Sequence, residues 1–80
     1  MNLRQAIRER ILQLCAERGI TVNRLCLICG ITQSTVNNII NTGSNNPTVS
    51  TVKKICDGLD MTLSDFFDCD LFNNLEQEIQ

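Results

Sequence analysis

Residues 21–40 form two short amphipathic segments on either side of one glycine, and this stretch constrains the fold more than any other part of the chain. The first segment begins at Thr21, whose hydroxyl is suited to accept a hydrogen bond from a free amide of a first helical turn. Its apolar side chains recur at the three- and four-residue steps of one helical face: Val22, Leu25, Cys26 and Cys29. Glycine readily adopts the positive φ that often ends a helix, so the pattern predicts a helix that stops at Gly30.

The second segment predicts a helix over residues 33–40 with one apolar and one polar face. Thr32 stands at its N-cap position, and Val36, Ile39 and Ile40 are spaced to face inward. The opposite face carries only uncharged amide and hydroxyl side chains: Gln33, Ser34, Asn37, Asn38 and Asn41. Two helices joined by a tight turn, the second with an outward polar face, are typical of a helix-turn-helix.

The motif and the residues after it resemble the lambda-repressor-like (Cro/CI, XRE) helix-turn-helix family of bacterial and phage regulators. The matching positions within the motif are Leu25, Cys26, Gly30, Ile31, Thr32, Gln33, Val36 and Ile39. The matching positions after it are Asn46, Pro47, Thr48, Val52, Ile55, Cys56, Leu59, Met61, Leu63, Phe66 and Phe67. The resemblance covers roughly residues 3–67 and implies an all-α, compact five-helix lambda-repressor-like domain, here followed by a short C-terminal tail helix.

The other helix boundaries follow from capping residues and apolar spacing. The first helix is expected over residues 3–18, with Asn2 and Gln5 forming a capping box and Gly19 ending it. Its arginines are expected on the wet face, opposite the stripe formed by Leu3, Ile7, Ile11 and Leu14. Thr48 is expected to cap a fourth helix over residues 49–58, and Thr62 a short fifth helix. The inward residues of the fourth helix are expected to be Val49, Val52, Ile55, Cys56 and Leu59.

The net charge of −2 is unevenly distributed along the 80 residues. All seven basic residues lie in residues 1–67, where five acidic residues leave a net charge of +2. Residues 68–80 carry four acidic residues and no basic one, a net charge of −4. The chain therefore divides into a mildly basic helix-turn-helix domain over residues 1–67 and an acidic amphipathic tail over residues 68–80.

The five cysteines, an odd number, argue against a disulfide framework. Cys26 and Cys29 have the spacing of a metal-binding pair, but a four-thiolate zinc site would need Cys15 and Cys56 to converge on them. The other interpretation is that Cys26 and Cys29 are small core residues, since both fall in mid-helix and no histidine exists to complete a mixed site. We therefore expect neither a metal nor a cofactor.

Catalysis and membrane insertion are not expected. The chain has no histidine, no activated-nucleophile arrangement and no phosphate-binding glycine loop, so it does not read as an enzyme. Its longest apolar run is far shorter than the roughly 18 residues of a membrane span, and no secretion signal opens it. The sequence therefore predicts a soluble, cytoplasmic protein.

The resemblance implies sequence-specific binding to double-stranded DNA, with the helix over residues 33–40 in the major groove, and transcriptional regulation, most simply repression. Glutamine and asparagine side chains can bridge adenine N6 and N7. The predicted base-reading residues are Gln33, Ser34 and Asn38. The predicted contacts to the DNA backbone are Thr21, Asn23, Arg24, Thr32, Thr35, Asn37, Asn41, Thr42, Ser44, Asn45 and Asn46. Two alternatives stay open: the loop over residues 41–46 as a simple connector, and Lys53 and Lys54 as solvated rather than phosphate-bound.

A second class of function is a protein-interaction module, antitoxin-like or a phage regulatory partner, that keeps the fold with weak or no DNA binding. No residue from Ile31 to Pro47 is charged, so the electrostatic attraction that usually dominates DNA affinity is weak in this segment.

The tail is expected to form a helix capped by Asp70, packing either on its own domain or against a second copy. Leu12, Leu27 and Ile28 occupy positions that are usually polar in the resembled family, so the domain also has apolar residues to spare. We favour the second copy, because a two-fold dimer would supply the burial that so small a domain lacks and would set two DNA-reading helices about one DNA turn apart. A homodimer is thus predicted through the fifth helix and the tail, at Phe66, Phe67, Leu71, Phe72, Leu75 and Ile79.

Overall fold

The computed structural model describes residues 1–42 and 47–79, with Thr42 described by its backbone alone, and all regular secondary structure in this part of the chain is helical. Five α-helices follow one another: α1 (Leu3–Arg18), α2 (Val22–Cys29), α3 (Gln33–Asn37), α4 (Val49–Gly58) and α5 (Leu63–Phe67). No strand occurs among the described residues, and none of their helices is long and apolar enough to cross a membrane. The predicted all-α class is confirmed.

The predicted caps at both ends of the helices are confirmed. Asn2 and Gln5 form the reciprocal capping box of α1, with Gln5 N–H donating to Asn2 Oδ1 at 2.9 Å and Asn2 N–H donating to Gln5 Oε1 at 3.0 Å. The helices α2 to α5 each begin after a threonine whose hydroxyl accepts an amide of the first turn: Thr21, Thr32, Thr48 and Thr62. Gly19 and Gly30 end α1 and α2 at φ of 64° and 67°, in the left-handed region where glycine is strain-free.

The apolar stripes meet in one core. Its fully buried members include Ile11, Leu25, Val36, Ile55 and Phe66, one from each helix. The expectation that Val49 faces inward is wrong, because its side chain is 73% exposed. In a helix the Cα–Cβ bond tilts toward the N-terminus. The side chain of Val49, the first residue of α4, therefore points past the edge of the core.

Arg10 is buried, which corrects the expectation that the arginines of α1 lie on the wet face. Its Nε donates to the carbonyl of Phe66 at 2.8 Å, and one Nη donates to the carbonyl of Asp65 at 3.0 Å. The last carbonyls of a helix have no partner within it, so this guanidinium satisfies the end of α5. Arg10 lies on the same helical stripe as Ile7 and Leu14, which is the signal that the sequence analysis missed.

The tail folds back onto its own domain, and the prediction of a short tail helix capped by Asp70 is wrong. One 3-10 turn forms over Asp70–Phe72 without a side-chain cap, and residues 75–79 are irregular. The ring of Phe72 lies 4.9 Å from that of Phe67, and Glu76 N–H donates to the carbonyl of Met1 at 3.2 Å. A short helix by itself has marginal stability in water. The packing of the Phe72 ring therefore determines the path of the tail.

Candidate nucleic-acid interface

The outer face of α3 is exposed and polar, as predicted. Val36 is fully buried and Ile39 is 3% exposed, so these two side chains fix the helix against the core. On the opposite side Gln33 and Ser34, in the first turn of α3, are exposed. Hydrogen-bonding side chains are therefore exposed on one side of a helix whose other side packs in the core.

Two pairs of predicted contact residues bond to each other along α3. Thr32 Oγ1 accepts the amide of Thr35 at 3.2 Å and lies 2.9 Å from its hydroxyl. Asn41 Nδ2 donates to Asn37 Oδ1 at 3.1 Å. Each pair is pre-ordered in the free protein, and each retains further donor or acceptor positions for a ligand.

The helix predicted over residues 33–40 does not end at residue 40, because a π turn continues it over Asn38–Thr42. This wider turn leaves Asn38 half-buried, whereas the sequence analysis placed its side chain on the outer face. Arg8 Nε donates to the carbonyl of Ile40 at 2.8 Å and thereby ties the π turn to α1. Single π turns often occur at functional sites.

The first turn of α2 carries the other described residues of the site. Thr21, Asn23 and Arg24 are all exposed, and Thr21 Oγ1 accepts the amide of Arg24 at 3.1 Å. The helix α2 packs on both α3 and α4. The turn at Gly30 therefore sets the two helices in the arrangement of a helix-turn-helix.

A sequence profile of the Cro/C1-type helix-turn-helix DNA-binding domain matches residues 10–71. The chain belongs to this family. The resemblance proposed from the sequence is thereby confirmed, together with the fold class that it implied.

The Cro/C1-type fold is also seen in a solved prophage protein. The structure entitled "Crystal structure of the prophage Lp1 protein 11" superposes with a TM-score of 0.82 at 32% sequence identity. The superposition covers 94% of this chain and 100% of that one. No curated protein matches the sequence.

The basic side chains differ in whether they bind a partner within the protein. Lys53 forms an ion pair with Asp57 one turn further along α4, whereas Lys54 is exposed and has no ion-pair partner among the described residues. Arg8 and Arg10 of α1 donate hydrogen bonds to backbone carbonyls. The exposed cations without an ion-pair partner among the described residues are therefore Arg18, Arg24 and Lys54.

Part of the predicted site lies outside the described residues. This applies to Ser44, Asn45 and Asn46, which were predicted to contact the DNA backbone, and to the side chain of Thr42. Their roles stay predictions.

The cysteines of α1, α2 and α4 have the properties of core residues. Cys15, Cys26 and Cys56 are buried, and burial raises the pKa of each thiol. Burial, and then the neighbouring thiols, raise the pKa of Cys29 to about 11. A metal ion needs thiolates, and the described residues contain no group of three or more ligands placed to hold one. The raised pKa values favour the core interpretation.

The packing around Cys29 supports that interpretation. A Cβ on Gly58 would clash with Cys29 Sγ and lie 3.0 Å from Cys29 Cα, so a larger residue at position 58 would force Cys29 to shift.

Proposed function

We propose that this protein is a sequence-specific double-stranded DNA-binding transcriptional regulator that represses by occluding a promoter. The recognition helix, α3 with its π turn, enters the major groove with its N-terminal residues toward the base edges. The observation that carries the proposal is the exposed polar face of α3 on a helix pinned by Val36 and Ile39. Membership of a DNA-binding family supports it.

Gln33 and Ser34 are the principal base readers in this proposal, because both are exposed at the start of the recognition helix. A glutamine amide pairs in bidentate fashion with adenine N6 and N7, which discriminates against a wrong base by roughly 1–3 kcal/mol. In this proposal Asn38, which is half-buried, contacts a base from the edge of the polar face of the recognition helix. The operator is therefore expected to contain adenines at the contacted positions.

The backbone contacts place the domain on the duplex. The hydroxyls and amides at Thr21, Asn23, Thr32, Thr35, Asn37 and Asn41 are neutral donors for phosphate oxygens, and Arg24 adds a charge. Thr42, Ser44, Asn45 and Asn46 extend this set along the loop.

An interaction module with little DNA binding is the second candidate. Leu27 is 76% exposed and Ile28 is 41% exposed, so α2 presents apolar area to solvent. Selection from a random duplex library with the purified protein separates the two candidates. Enrichment of a palindromic motif supports the regulator, and recovery of no motif at low salt favours the interaction module.

Replacing Gln33 with alanine is expected to weaken specific binding by roughly 1–3 kcal/mol and to relax the preference at one base position. Its melting temperature should not change, because the side chain is exposed. Asn38→Ala should relax a second position, with a small loss of stability because Asn38 is half-buried. Fluorescence anisotropy on the selected duplex and its single-base variants measures both effects. Gln77→Ala, an exposed glutamine of the tail, is the matched control. An equal loss on every duplex would contradict base reading by α3.

The affinity for DNA is expected to fall only moderately with salt. Arg18, Arg24 and Lys54 are exposed cations with no ion-pair partner among the described residues. We expect roughly two to five phosphate ion contacts per dimer, each contributing a slope of about −0.9 to log K against log salt. Titrations at several salt concentrations measure this slope. A slope near −8 would show that a different surface meets the DNA.

We also propose a homodimer through α5. Its interface is smaller than the one predicted from the sequence. Phe66 is fully buried and Phe72 packs in its own chain, whereas Phe67 is 38% exposed. Phe67, with Leu63, Ser64, Asp65 and Asp68, lines an open depression of about 560 Å³. Two copies joined here would place their recognition helices about one DNA turn apart, roughly 34–36 Å.

The exposure of Phe67 gives a direct test of that dimer. Phe67→Ser is expected to shift the sedimenting species from dimer to monomer and to weaken binding to a palindrome more than to a half-site. Val49→Ser, a comparably apolar and 73% exposed position on α4, is the control. Equal sedimentation of both variants and the unmodified protein would rule out this surface.

A further inference from the structure

Arg8 makes a long-range contact with the recognition helix. Arg8 lies on α1, 32 residues before Ile40, and its Nε donates to the Ile40 carbonyl at 2.8 Å. Its Nη1 lies 2.5 Å from Glu9 Oε1, so the carboxylate of the next residue holds the guanidinium in place. The side chain therefore has one partner on its own helix and one on the recognition helix.

The acceptor of this bond lies where a helix most needs an outside donor. Ile40 belongs to the last turn of the recognition helix, and the last carbonyls of a helix lack donors within it. The same end carries the negative pole of the helix dipole, which a cation stabilises. A π turn is also a rare geometry that usually occurs as a single turn.

Three interactions fix the conformation of the π turn. Ile39 is buried in the core, Arg8 holds the Ile40 carbonyl from α1, and Asn41 bonds Asn37 along the outer face. Ile39 fixes the depth of the turn, and the Arg8 bond is positioned to set its rotation about the helix axis. A change in that rotation would redirect Asn38 and Asn41, the two asparagines of the π turn.

We propose that Arg8 is a positioning residue for DNA recognition, which sets the direction of the C-terminal polar side chains of the recognition helix through the Ile40 carbonyl. This inference rests on the proposed function. In this role Arg8 need not touch DNA, and it acts on specificity rather than on electrostatic attraction.

The test uses Arg8→Met, which keeps an unbranched apolar stem and removes the donors, and Arg4→Met as the matched control. Arg4 lies one turn earlier on α1, is half-buried, and has no hydrogen-bond partner among the described residues. Both variants lose one positive charge, so a purely electrostatic role predicts equal effects. Arg8→Lys keeps the charge and one donor group, and it replaces Arg8→Met if that variant does not fold.

Two measurements are made on each full-length variant. Hydrogen exchange in the absence of DNA is expected to become about tenfold faster at the amides of Asn38–Thr42 in Arg8→Met, with no change in Arg4→Met. On duplexes from the selection, discrimination at the base position read by Asn38 should fall from the roughly 5–150-fold of one bidentate pair to about twofold or less. The salt slope should be the same in both variants.

The outcomes are distinguishable. Faster exchange with unchanged base preference would make Arg8 a structural residue only and overturn the proposal, and so would unchanged exchange. If the unmodified protein selects no duplex, the proposed function and the positioning role fail together, while the exchange result still reports whether Arg8 holds the π turn.

Discussion

Phe66→Ala is expected to lower the free energy of unfolding by about 3–5 kcal/mol, the usual cost of emptying a phenylalanine site in a core. Phe66 is fully buried, with its ring 5.0 Å from Phe67 and 6.1 Å from Phe72. A chain of this length is typically stable by about 4–12 kcal/mol, so the substitution should remove a large fraction of the stability. Urea denaturation followed by circular dichroism measures the change.

Phe67→Ala is the matched control, measured at a protein concentration at which the unmodified protein is monomeric, since the two residues are adjacent on α5 and Phe67 is 38% exposed. Its cost should stay below about 1.5 kcal/mol, because less apolar area is lost and solvent fills the space. Equal losses in the two variants would mean that the core is not organised around Phe66.

Arg10→Met is expected to destabilise the protein by about 2–3 kcal/mol. Arg10 is 9% exposed, and its guanidinium donates to the carbonyls of Asp65 and Phe66 at the end of α5. Methionine preserves much of the apolar stem but leaves these carbonyls without that donor. Thermal and urea denaturation measure the loss, and amide exchange in α5 should rise with it.

Arg4→Met again serves as the control, with an expected change within about 0.5 kcal/mol. If Arg10→Met matched this control, water would be satisfying the α5 carbonyls, and the bond between α1 and α5 would contribute nothing to stability.

The helix starts and the polar face of α3 were predictable because they depend on near neighbours in the chain. A threonine caps the amide three residues later, and Thr32 does so at Thr35. The alternation that buries Val36 and exposes Gln33 depends only on helical spacing. The exposed part of the candidate site could therefore be located without coordinates.

The features that the sequence analysis missed depend on residues far apart in the chain. The burial of Arg10 requires the end of α5, more than 50 residues away, and the bond from Arg8 requires the π turn of the recognition helix. The cis packing of Phe72 likewise depends on Phe66 and Phe67 being side by side in the folded core.

The sequence by itself thus determined the caps, the apolar stripes and the uncharged outer face of α3, since each is set by local hydrogen bonding or by helical periodicity. The family was indicated by the resemblance of residues 3–67 to known regulators. The tertiary structure decided how far Asn38 is buried, where the recognition helix ends and which way the tail runs. The physical reason is that helix ends and tail segments have unsatisfied carbonyls and uncovered rings, and which distant groups satisfy them depends on the assembled packing.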